Sequence, residues 1–372
     1  MNILVAGDFC PQMRVAKAFE EQDYKSVIKE VKDITSKADY SIVNFECAVT
    51  KGGEQAIKKQ GPNLCCSIRG IEAVKWAGFD CVTIANNHVR DFGDEGMRNI
   101  LDACANMGID TVGGGENLND ASKILYKNIK GNTLAVINCC EHEFSVATYT
   151  TAGSNPLNPV QQWYAIQEAK NKADRILVIV HGGHEHWQLP SLRMKETYRF
   201  FIDAGADAVV NHHQHCYNGY EIYQGKPIFY GLGNFCFDGN RSKKDIWHEG
   251  FMVTIDFSDA IPSFELHPYR QCAEEPCVKL LPQGSFDERL KELNDIIADA
   301  EKLQNAIDNY YVDCEETYSN LFEPIRNRYY LGAKRRGWLP SFISKKRKVQ
   351  AFNFINCESH RDKLLFWLKK YE

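Results

Sequence analysis

The chain has 372 residues, 44% hydrophobic and 25% charged, an ordinary balance for a soluble globular protein with one large domain and an appendage, or with two domains. A net charge of -5 and a pI near 6.2 give no global reason to expect nucleic acid. No stretch reaches the roughly 18 apolar residues of a membrane span, and MNILVAGDFC enters a β-type run without a basic stretch or a cleavage site, so the expected location is cytoplasmic. The 14 cysteines form no CxxC pair and read as reduced, buried thiols.

Taken in chain order, β-rich runs alternate with helical patterns. The runs are NILVAG (2–7), DYSIVNFE (39–46), DCVTIAN (80–86), TLAVINC (133–139), RILVIVHG (175–182) and ADAVVNHH (206–213). Continuous apolar, β-branched stretches of this kind suit strands covered on both faces. Between them, SIRGIEAVKWAG (67–78) and GMRNILDACANMG (96–108) space apolar residues three and four apart and close on glycine, as helices do. Such alternation predicts an α/β layered domain. KPIFYGLGNFCFD (226–238) and EGFMVTIDF (249–257) add two strand-like runs. The predicted α/β domain is therefore 1–257, followed by a mainly helical extension, 258–372. Within it, 285–320 reads as one or two amphipathic helices, 334–348 is basic and aromatic, and a last helix is expected around HRDKLLFWLKKYE.

Ligands of α/β sheets bind beyond the carboxyl ends of strands. There the sequence puts Asp8; Asn44 and Glu46; Asn86, Asn87, His88 and Asp91; His181, His184, Glu185 and His186; and His212, His213 and His215. Six of the chain's 11 histidines sit at the last two of these ends. Oxygen and imidazole donors together suit one or two divalent transition metals (Zn, Mn, Fe or Ni) better than Ca or Mg. Two such ions about 3.5–4 Å apart can clamp a phosphoryl group. His88, followed three residues on by Asp91, has the pattern of an oriented histidine that protonates a leaving oxygen; the same pattern also serves a loop cap.

The segments GDFCP (7–11), NFECAVT (44–50), AGFDCVTIANNHVRDFGDEG (77–96), GIDTVGGGENLNDA (108–121), VHGGHEH (180–186) and IDAGADAVVNHHQHCYNGYEIYQGKPIFYGLGNFCFD (202–238) resemble, in order, the CapA family of bacterial capsule and poly-γ-glutamate synthesis proteins. That family is itself similar to the calcineurin-like metallophosphoesterases. The resemblance implies a four-layer α/β/β/α sandwich rather than the single doubly wound sheet that alternation alone suggests. It implies a metal set of Asp8, Glu46, Asn87, His181, His213 and His215, with His88 matching the proton-donating histidine; Asp91 is the carboxylate expected to steady it. Asn44, His184, Glu185, His186, His212 and Asn234 are the expected substrate contacts. Cys10 stands where the phosphoesterase pattern carries a histidine, and Gly182, His186, Asn211 and Gln214 replace the usual tryptophan, tyrosine, glycine and proline.

The resulting expectation is a metal-dependent, phosphoesterase-like hydrolase in capsule, exopolysaccharide or poly-γ-glutamate biosynthesis, acting on an anionic small molecule or polymer. The alternatives are a non-hydrolytic assembly protein and a metal-dependent γ-glutamyl amide hydrolase or transferase. KRRGWLPSFISKKRK (334–348) allows either peripheral membrane contact or a solvated surface.

Overall fold

In a computed structural model, residues 1–319, 323, 325–356 and 368 are described, and the helix expected around 360–372 falls outside them but for residue 368. The chain divides into two compact units, Met1–Ala300 and Glu301–Glu372. The first unit contains two main sheets. Strands are numbered β1 (Asn2–Phe9), β2 (Tyr40–Phe45), β3 (Cys81–Thr83), β4 (Asp110–Val112), β5 (Leu125–Ile129), β6 (Asn132–Cys140), β7 (Arg175–His181), β8 (Ala208–His212), β9 (Tyr220–Tyr223), β10 (Lys226–Phe229), β11 (Asn234–Cys236), β12 (Glu249–Asp256), β13 (Ser263–Gln271) and β14 (Val278–Leu280). One sheet runs β14-β13-β12-β1-β2-β3-β4, with β11 also paired to β1; the other runs β9-β10-β8-β7-β6-β5.

Each sheet carries helices on its outer face, which makes the four layers α/β/β/α. Leu4 and Ala6 of β1, Val43 of β2 and Val82 of β3 pack in one cluster with Val15, Phe19, Val27, Ile71, Val74 and Ile100 from the helices Met13–Glu20, Tyr24–Thr35, Arg69–Ala77 and Gly93–Met107. Alternate β1 residues Ile3 and Val5 are also fully buried, so neither face of this strand meets water. The helices Pro159–Lys170 and Leu192–Ala204 pack on the second sheet. Local sequence explains their ends. Asn158 and Ser191 cap the two N-termini through their side-chain oxygens, while Gly78 and Gly108, at φ 88° and 63°, close two helices of the first layer.

Alternation alone suggests one sheet, because a strand looks the same locally whichever sheet receives it. The run 226–238 marks the division: β10 lies in the second sheet and β11 in the first, with the chain crossing at Gly231–Gly233. Gly233 has φ +82°, and its carbonyl accepts from Asp8 N at 3.1 Å. A Cβ on Gly7 would meet that carbonyl oxygen at 1.9 Å, so the close approach of the two backbones requires glycine there. Beyond residue 257, β13 pairs antiparallel with β12, β14 extends the first sheet, and the helix Asp287–Ala298 belongs to the same compact unit.

Candidate metal centre

Parallel pairing aligns the carboxyl ends of β1 and β2 in one sheet and of β7 and β8 in the other. Asp8 of β1 is in register with Asn44 of β2 and with Asn234 of β11, and His181 of β7 with His212 of β8. A register shift between Ala6 and Asp8 interrupts the ladder at the first carboxylate. His213 and His215 follow β8 with φ of 98° and 56°, a region unfavourable for side-chain-bearing residues, so surrounding structure holds these imidazoles in place.

Asp8, Glu46, His181, His213 and His215 are all buried. Around His181 Nε2 lie Asn87 Oδ1 at 3.0 Å, His213 Nδ1 at 3.1 Å and Glu46 Oε1 at 3.4 Å. Donors each about 2.0–2.2 Å from a single ion are separated by roughly 3–3.5 Å, so this spacing fits one cation. Glu46 also faces His215, with Oε1 3.9 Å from Nε2, while Asp8 Oδ2 is 3.7 Å from His215 Nδ1. Two candidate ligand groups result: Glu46, His181 and His213; and Asp8, Glu46 and His215. Glu46 is common to both, the position of a bridging carboxylate.

Both Glu46 oxygens are buried and accept no hydrogen bond among the described residues. A carboxylate desolvated without a donor is costly, and here the missing partner fits a cation. Burial, followed by the charge of Asp8, pushes the Glu46 carboxyl well above its usual range, and burial raises Asp8 too. Burial and the neighbouring imidazoles hold His181 and His215 well below the ordinary histidine value, hence neutral and ready to ligate.

Supporting residues explain these orientations. Asn234 donates its amide to the carbonyls of His215 and Trp247, so its Oδ1 accepts from His215 Nδ1 at 2.9 Å and leaves Nε2 without a proton. Asn44 donates to Asp8 Oδ1 at 2.8 Å, and His213 N donates to Asp8 Oδ2 at 3.2 Å. Asn44 and Asn234, expected to touch substrate, are thus buried residues that orient the carboxylate and the imidazole. His212, also an expected substrate contact, directs Nε2 to the Ala6 carbonyl at 3.0 Å, because as the last strand residue it faces the other sheet.

His184, Glu185 and His186 sit outside both ligand groups. Glu185 and His186 are exposed at the rim; His186 Nε2 lies 3.1 Å from Arg241 Nη2, and its ring centroid is 5.9 Å from that of His215. His184 packs near Trp187, with ring centroids 5.8 Å apart. Cys10 joins neither ligand group: Gln12 Nε2 donates to its Sγ at 3.5 Å, and burial raises its thiol.

His88 Nδ1 is 2.6 Å from Asp91 Oδ2, and its Nε2 takes no hydrogen bond among the described residues. Sequence reading missed the third member of this cluster. Lys59, in the irregular segment 51–64, pairs with Asp91 Oδ1 and stands 3.0 Å from His88 Nδ1, its side chain only 3% exposed. Asp91 ties down the same segment through Leu64 N at 2.7 Å and its own carbonyl, which accepts from Ile57 N at 2.9 Å. Nothing in KGGEQAIKKQGPNL announces this lysine. Glu143 was missed too, although EHE directly after the fourth run was a visible signal. Its carboxylate accepts from Asn87 Nδ2 at 3.4 Å and lies 3.7 Å from His213 Nε2.

The family model described as bacterial capsule synthesis protein PGA_cap matches residues 2–239. The capsule biosynthesis protein CapA of Bacillus anthracis is 31% identical over 246 residues, 64% of this chain and 60% of that protein. The PGA biosynthesis protein CapA of Bacillus subtilis (strain 168) is 35% identical over 237 residues, 62% of each. The match thus spans about three fifths of these relatives' length. Among solved structures, a 5'-nucleotidase precursor from Thermus thermophilus aligns with 80% of this chain and 59% of its own, at a TM-score of 0.45 and 11% identity.

Proposed function

From the premise that this chain belongs to the bacterial capsule synthesis protein family PGA_cap, we propose that it is a metal-dependent, phosphoesterase-like hydrolase acting on an anionic substrate in capsular polymer or poly-γ-glutamate synthesis. The observation that carries the reading is Glu46: buried, without a hydrogen-bond donor, and common to two ligand groups. Asp8, Glu46, Asn87, His181, His213 and His215 would hold one or two ions of Zn, Mn, Fe or Ni type. Such a metal supplies Lewis-acid polarisation of a phosphoryl oxygen.

This chain's own side chains do the rest. His88, with Nδ1 held against Asp91, keeps Nε2 for handing a proton to the departing oxygen. Lys59 offsets the Asp91 charge in a site closed to water. His186 and Arg241 form a polar rim suited to an anion. Elemental analysis of the purified chain, combined with assays on aryl phosphate mono- and diesters, tests the proposal. Cleavage that is lost on chelation and restored by a transition metal is expected. A chain that binds no transition metal and cleaves none of these esters in its presence refutes it.

A second reading, a non-hydrolytic assembly protein, draws on Cys10. A buried, protonated thiol is a poor ligand at a position where the phosphoesterase pattern has histidine. Metal binding without cleavage across a broad phosphoester panel would favour it.

A further inference from the structure

Between residues 325 and 356 the chain carries nine Lys or Arg and no Asp or Glu, although its overall net charge is -5. Two helices lie in this stretch, Arg328–Arg335 and Lys345–Asn356. Between them the chain folds back on a small core of its own. Tyr330 and Ile343 are buried, the rings of Tyr330 and Phe342 stack at 5.3 Å, and the Tyr330 hydroxyl donates to Glu323 Oε2 and Pro340 O, each at 3.0 Å. Glu323 also accepts from Phe342 N at 3.2 Å and pairs with Lys334 at 2.9 Å.

This core leaves the larger apolar side chains outside. Trp338 is 72% exposed, Val349 and Phe352 are each 67% exposed, and Leu339 and Ile355 are exposed as well. In the second helix four basic residues, 345–348, form the first turn; Val349, Phe352 and Ile355 follow at three-residue spacing along the helix. The Arg336 guanidinium lies 5.1 Å from the Trp338 ring centroid, so charge and aromatic surface share one patch.

We propose that residues 325–356 form a peripheral membrane-docking surface for anionic lipid headgroups. Positive charge with no acidic residue is the complement of an anionic leaflet, and each Lys or Arg near such a surface strengthens binding roughly fivefold. Exposed Trp, Phe, Leu, Val and Ile beside those charges match what an interface absorbs: the apolar side chains enter the acyl boundary while the cations remain among headgroups. Nucleic acid would use the charges and stack on the aromatic rings, but it offers no apolar medium for Leu339, Val349 and Ile355. No helix among the described residues is long and apolar enough to cross a membrane, so this contact would be peripheral.

Flotation of the full chain with phosphatidylcholine vesicles, with and without phosphatidylglycerol, tests the proposal. Binding only to the anionic vesicles is expected, with at least a tenfold loss in the quadruple variant Arg335→Gln, Arg336→Gln, Lys345→Gln and Lys346→Gln. Brominated lipid should quench tryptophan emission in the wild type, and Trp338→Phe should remove that component without requiring any change in fold. Equal flotation on neutral and anionic vesicles overturns the proposal, as does undiminished flotation of the quadruple variant. A generic RNA duplex bound at a salt concentration where vesicles are not bound also overturns it and assigns the charges to nucleic acid.

Discussion

Glu46 Oε1 and His215 Nε2 face each other across 3.9 Å, and Asn234 draws the imidazole proton to Nδ1, which leaves the Nε2 lone pair turned toward the carboxyl. Two lone-pair donors turned toward one gap in a buried site are the signature of a cation's place. Replacing the carboxylate by an amide supplies hydrogen-bond donors and removes the charge. Glu46→Gln should therefore abolish the thermal shift produced by transition metal while leaving the metal-free melting temperature unchanged or higher. A ligand at 100 times its Kd stabilises by about 2.7 kcal/mol, so the lost shift is readily measured.

Asn234 acts one step behind the ligand. Asn234→Ala should weaken metal binding by about 10–100-fold, the usual effect of losing an outer hydrogen bond to a ligating histidine. Calorimetric titration of wild type and variant with one transition metal measures this directly.

For the proton-handling pair, His88→Asn should lower the rate of phosphoester cleavage by about 10²–10⁴-fold while metal content stays unchanged. Steady-state kinetics on an aryl phosphodiester, with elemental analysis of the same preparation, separates catalysis from assembly of the site. Loss of metal together with rate would assign His88 a structural role.

Lys59 and Asp91 make a stability prediction independent of catalysis. Both side chains are buried, so Lys59→Met leaves the buried Asp91 charge without its cation, with only His88 and Leu64 N still bonded to Oδ2, and should cost about 3 kcal/mol in urea unfolding. Lys59→Met with Asp91→Asn should recover part of that loss, because the second change removes the uncompensated charge.

Gly7 is a test of the close backbone approach beneath the site. Gly7→Ala should destabilise by about 1–3 kcal/mol or prevent folding, since its methyl would overlap the Gly233 carbonyl. Gly332→Ala, where an added Cβ meets nothing within 4 Å, should cost no stability. Comparing the two urea midpoints checks both.

His267 gives the pH dependence. Its Nε2 lies 2.8 Å from Thr254 Oγ1 across the β12–β13 pair, and burial holds its pKa below the ordinary 6.5. The unfolded chain therefore binds the proton first as pH falls, and this contribution to stability, complete above about pH 6.5, declines below it. His267→Gln should flatten that part of the pH–stability curve.

Much of the architecture was legible in the amino-acid order. Uninterrupted apolar runs mark strands buried on both faces, and glycines 78 and 108 mark helix ends, because both signals depend on neighbours in the chain. Aspartate, glutamate, asparagine and histidines at the strand ends were equally visible, and the facing of the two sheets brings Asp8, Glu46, His181, His213 and His215 together. Tertiary structure alone decided which of them face the gap. His212 and His213 are adjacent, yet one turns to the Ala6 carbonyl and the other, at φ 98°, to His181. Asn44 bonds to Asp8 and Asn234 to His215, and Lys59 entered from a segment without periodicity. The physical reason is one of range. Strand and helix patterns are set by residues a few positions apart, whereas the direction of a buried polar side chain is set by whatever donor or charge the fold brings beside it from far along the chain.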